Sequence, residues 1–137
     1  MPLSRHFRRV LTAAVVMTAT AVSTAAPAFG AAAFPVSWSA SYAGAQVAGT
    51  TTHVQHPLGV SRTTTVKGAI KAGTGTGCFQ AVIETGSVSW TSPATCVGSA
   101  SESFVTTYQT FTIGPASTVR LCSAGSTTAC GTPAPLW

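Results

Sequence analysis

Two histidines three residues apart, His53 and His56 in THVQHP, are the first residues of this chain whose type and spacing could do chemistry. Imidazole binds metals and moves protons near neutral pH. On a strand, residues three apart point to opposite faces, so the pair can share one metal only from a loop. Two ligands also fall short of the three or four that a zinc site uses. The simpler reading is a polar loop ahead of Pro57, so neither a metal nor a cofactor is expected. Carboxylates are scarcer still, since Glu84 and Glu102 are the only acidic side chains. A paired-carboxylate hydrolase would need both, yet Glu84 falls near a hairpin turn and Glu102 in the Ser-rich stretch SASES. Serines abound, but there is no G-x-S-x-G and no Asp to complete a triad. GTGTG, residues 73–77, lacks the spacing of a nucleotide loop and reads as a flexible connection. A protein that is not an enzyme is the expectation.

The binding candidates are weaker in kind. Lys67 and Lys71 share one strand face with Arg62 nearby, a geometry that could touch an anionic polymer such as teichoic acid. So few phosphate contacts would bind weakly and with strong salt dependence, and a solvated face is the simpler reading. Trp38, Trp90, Tyr42 and Tyr108 could form a sugar-stacking platform. Trp38 and Trp90 alternate with small polar residues and are better read as core; Tyr42 and Tyr108 stay as weak binding candidates.

The cysteines do structural chemistry. There are four, an even number, and no C-x-x-C or zinc spacing occurs. In an oxidising compartment they read as disulfides. Three connectivities are open, and Cys78–Cys96 with Cys122–Cys130 is preferred because each pair flanks a turn-like segment. Loop-closure entropy puts the longer bridge at about 3 kcal/mol and the shorter at about 2.5. The first bridge clamps a hairpin, with Phe79, Ala81 and Ile83 alternating against Gln80, Val82 and Glu84 before the chain returns through Val88 and Trp90. A two-residue turn at Gly86-Ser87 is one residue out of step with a Cys78–Cys96 pair. Either the loop is odd or the return strand bulges, and Pro93 is the natural place for a bulge.

The compartment follows from the first 33 residues. Arg5, Arg8 and Arg9 precede an apolar Ala/Val/Thr stretch that ends in small residues, the pattern of a secretory signal peptide. Cleavage after Ala33 is preferred over Ala28. Arg8-Arg9 is only a weak sign of twin-arginine export. No basic stop-transfer cluster follows, so no membrane span remains after cleavage. Most of the chain's net charge of +5 leaves with the leader. Arg62, Lys67, Lys71 and Arg120 then face Glu84 and Glu102, too small an excess for a nucleic-acid partner. A secreted, extracellular protein is expected, its oligomeric state open.

Residues 34–137 make one domain. Period-two alternation recurs in PVSWSASYAG, TTTVKGAIKA, FVTTYQTFTI and STVRLC, and no window holds a helical period. Six to eight short strands predict an all-β fold, an antiparallel β-sandwich with an immunoglobulin-like arrangement as one form. The closing GTPAPLW reads as an extended tail. Thr and Ser dominate the exported part, as strand formers that keep a nearly uncharged surface wet; no repeat period marks a threonine array matched to a crystalline surface.

The leader ending AAPAFGAAAF, the low-charge Gly/Ser/Thr/Val body and VRLCSAGSTTACG give the whole chain a resemblance to the small secreted β-sandwich proteins of actinobacteria. Among these it looks similar, in size, local disulfides and composition, to the apoproteins of enediyne chromoproteins. That resemblance implies a seven-stranded sandwich whose cleft sequesters a reactive small molecule, and it transfers no functional residues. The function expected first is a binding or cell-surface-associated module acting on envelope glycan or on another protein. A carrier of a small apolar ligand comes second and a secreted inhibitor or toxin-like protein third. An exposed aromatic row would favour glycan, and a deep apolar cleft between sheets would favour a carrier.

Overall fold

Alternating apolar and hydroxyl residues, punctuated by Gly and Pro, fold into antiparallel strands in the computed structural model, which describes residues 34–86 and 88–137. The expected leader and Ser87 of the expected turn lie outside the described residues. Among those described there are nine strands and no helix: β1 (Val36–Tyr42), β2 (Ala45–Gln55), β3 (Ser61–Lys71), β4 (Cys78–Thr85), β5 (Val88–Thr91), β6 (Thr95–Cys96), β7 (Glu102–Phe111), β8 (Thr118–Ser123) and β9 (Ala134–Pro135). One sheet runs β1-β2-β3-β7; the other runs β5-β4-β8-β9, with β6 also paired to β4. β3 and β7 are neighbours in the first sheet, and their successors β4 and β8 are neighbours in the second. Two crossings side by side interlock the sheets. The expected all-β, antiparallel, two-sheet fold is what forms.

Inward positions follow the period of two. Val66 and Ile70 are fully buried while Lys67 and Lys71 are exposed, and Val119 and Leu121 are buried on β8. Both sheets feed one core, which includes Val47, Ile70, Ile83, Leu121 and Leu136. Each such side chain contributes about 1.5–3 kcal/mol on burial. One inward row explains two glycines. Trp38, Gly49, Gly68 and Phe104 stand in register across four strands. The outer rings lie over the inner glycines, so that a Cβ on Gly68 would sit 2.6 Å from Phe104 and 2.8 Å from Trp38. Trp90 packs on Phe104 from the other sheet, with centroids 5.5 Å apart. Trp38 and Trp90 are therefore core-side residues.

Both preferred disulfides are present, Cys78–Cys96 and Cys122–Cys130, and each lies within the second sheet. The bulge is there too. Val82 to Thr85 pair with Thr91 back to Val88 in one register, while Phe79 and Cys78 pair with Thr95 and Cys96 one residue out of step. Ser92, Pro93 and Ala94 stand opposite only Gln80 and Ala81. Buried Ser92 repairs the ladder: its N–H donates to the Ala81 carbonyl (2.9 Å), and its Oγ accepts from the Ala81 N–H (2.9 Å). The C-terminal segment is extended, as expected, but it is docked. β9 pairs with the start of β8, and Leu136 is fully buried with its N–H donated to Ser117 (3.0 Å).

Candidate functional site

The titratable residues are held apart by their strands. His53 faces inward from β2 and His56 lies beyond the strand's end. His53 Nε2–H donates to the Leu136 carbonyl (3.3 Å), so Nδ1 accepts from the Thr64 hydroxyl (2.9 Å). Burial first, and the nearby Arg62 charge second, hold its pKa below 6.5, against a smaller upward pull from the Leu136 carbonyl. His56 Nε2 instead pairs with the Thr63 hydroxyl at 3.0 Å. No group of three His, Cys, Asp or Glu side chains able to hold a metal occurs among the described residues. Glu84 pairs with Arg120 on the outer face of the second sheet, and Glu102 opens β7. Neither glutamate meets a histidine among the described hydrogen bonds and ion pairs, so the structure brings no acid–base pair together.

Lys67 and Lys71 are exposed on the outer face of the first sheet. Arg62 does not join them. Strand alternation turns it to the other face, where Nε donates to Thr110 (3.3 Å) and the guanidinium lies 4.4 Å from the Trp137 ring centroid. Tyr42 is half-buried, edge-on to Phe79. Tyr108 is half-buried as well, and its buried Oη makes no full hydrogen bond. Burial raises its pKa above 10, with Ser117 and Arg62 moderating the rise. The four aromatics considered as a sugar platform thus lie in or against the core.

The sequence did not mark the feature that stands out, an apolar pole. The β2–β3 turn, the β4–β5 turn and the segment after β7 meet at one end of the sandwich. Thr112 ties two of them together, its N–H donating to Val60 (3.1 Å) and its hydroxyl to Gly59. Leu58 (86 % exposed), Phe111 (75 %) and Ile113 (95 %) project there, with Val60 and Val88 also exposed. Between β7 and the β4–β5 hairpin runs a cleft of about 310 Å³, lined by Val88, Tyr108, Phe111, Ile113 and Pro115 among others. A side chamber of about 150 Å³ shares Thr85, Val88 and Tyr108 and continues past Ile83 to Trp90. Among the described residues Tyr108 is the only ionisable side chain lining either chamber. Such a cleft can hold an apolar group. Alternation could have found part of this, because Phe111 falls on the face of β7 opposite Phe104 and Ile113 continues the same period beyond the strand's end. Which loops share an end was legible only from the pairing. Comparison of the chain with models of protein families, with curated proteins and with solved structures found no match.

Proposed function

We propose that this chain is a secreted, non-enzymatic binding module and that its site is the apolar pole, with a small apolar ligand held in the cleft beside β7. The observation that carries the reading is the crowding of Leu58, Val60, Val88, Phe111 and Ile113 around a cleft of about 310 Å³, on a surface otherwise rich in hydroxyls. Pockets for small molecules start at about this volume and are mostly apolar with few polar groups. Exposed apolar patches mark interaction sites. The two disulfides suit an oxidising, extracellular setting. The interlocked crossings, with β1-β2-β3-β7 on one sheet and β5-β4-β8-β9 on the other, favour an immunoglobulin-like description.

The test is titration with 1-anilinonaphthalene-8-sulfonate, followed by Trp90-sensitive fluorescence and by native mass spectrometry. Saturable one-to-one binding, weakened about tenfold or more by Phe111→Ser with Ile113→Ser, is expected from the loss of two buried apolar contacts. Absence of saturable binding, with the protein instead retained on insoluble envelope polysaccharide, would overturn the cleft reading. Lys67 and Lys71, both exposed on the hydroxyl-lined outer face of β3, would then carry the glycan function.

A further inference from the structure

The two sheets have four edges, and three of them are blunted. β5 is four residues long and gives way to the Ser92–Ala94 bulge. β9 is two residues long and contains Pro135. One end of β1 is crossed by Gly131, which approaches so closely that a Cβ there would sit 2.1 Å from the Ser41 carbonyl oxygen. β7 differs. It is ten residues long, and among the described residues no strand pairs with the edge facing away from β3. From Ser103 to Phe111 it carries no charge, proline or glycine. These are the devices that normally protect an edge, and an edge lacking them is a template for strand addition.

We propose that this edge pairs antiparallel with the same edge of a second copy of the chain, joining two four-stranded sheets into one of eight about a twofold axis. Charge complementarity selects both the partner and the register. Glu102 opens β7; near the other end Arg62 on β3 stands opposite Thr110 and bonds its hydroxyl. Among the described residues neither Glu102 nor Arg62 makes an ion pair. Glu102 and Thr110 are an even number of residues apart, and Arg62 is in register with Thr110, so all three belong to the same sheet face. With Thr106 on the axis, Glu102 of each copy comes opposite Thr110 of the other, one strand from that copy's Arg62. An isologous contact makes the pairing twice. Lys67 belongs to the opposite face and brings no like charge to either junction.

Analytical ultracentrifugation of the secreted protein over a concentration series tests this. The wild type is expected to dimerise reversibly, less tightly as salt rises. Glu102→Arg and Arg62→Glu should each weaken the dimer about tenfold or more, by turning two attractive junctions repulsive. Mixing the two variants should restore it, because in the mixed dimer both junctions are complementary again. Thermal melts of each variant check that the fold is kept, and recovery on mixing cannot come from misfolded chains. A wild type that stays monomeric at millimolar concentration, variants that dimerise as well as wild type, or a mixture no tighter than either variant alone would each overturn the proposal.

Discussion

At the residue scale, His53 is a clasp. Its ring joins β2 to β3 through Thr64 and to the C-terminal segment through Leu136, the neutral tautomer accepting at Nδ1 while it donates from Nε2. The nearby Arg62 charge disfavours an imidazolium there. A histidine pKa held below 6.5 means that the unfolded chain binds more protons between that lowered value and 6.5. Stability should therefore be complete above pH 6.5 and fall as the pH drops through this window. Urea unfolding at a series of pH values should show the slope, and His53→Gln should flatten it. Gly68 is the second residue whose role is physical. Its missing Cβ makes room for Trp38 and Phe104, so Gly68→Ala should cost about 1–3 kcal/mol by overpacking. Ala69→Ser, on the exposed face one residue away, should stay within about 0.5 kcal/mol in the same urea titration.

At the scale of elements, the second sheet depends on two local staples and one side-chain repair. The Cys78–Cys96 pair holds the hairpin after its register slips, and Ser92 supplies the acceptor that the bulge removes. The Cys122–Cys130 bridge ties β8 to the segment that delivers β9 and Leu136 to the core. Replacing both cysteines of that bridge with Ala should lower stability by about 2–3 kcal/mol. Hydrogen exchange should then speed up first at the Leu136 amide, with the amides of central β4 following only in global unfolding. The hairpin, the bulge and both bridges were legible because they involve neighbours in sequence. The docking of the tail was not, since GTPAPLW has no alternation and its partners, Ser117, the edge of β8, His53 and Arg62, are distant in sequence.

At the scale of the whole molecule, two sheets lock through neighbouring crossings. One end gathers apolar loops, and one long edge is left unprotected among the described residues. The proposed cleft site and the proposed dimer edge both involve β7, so ligand in the cleft and pairing at the edge are testable on the same protein. By itself the sequence pointed to the fold class, to the strand faces and, among three open connectivities, to the cysteine pairs that form. These rest on period-two alternation and short-range spacing, which are local. It also determined how little acid–base chemistry is possible, because two carboxylates and a handful of histidines limit any site wherever they fall. Only the tertiary structure decided what the candidate residues do. Thr110 and Trp137 took Arg62, and packing against the core took Tyr42 and Tyr108. The pairing of β3 with β7 and β4 with β8 brought Val60, Val88, Phe111 and Ile113 to one pole. Those juxtapositions depend on long-range strand order, which no local spacing encodes.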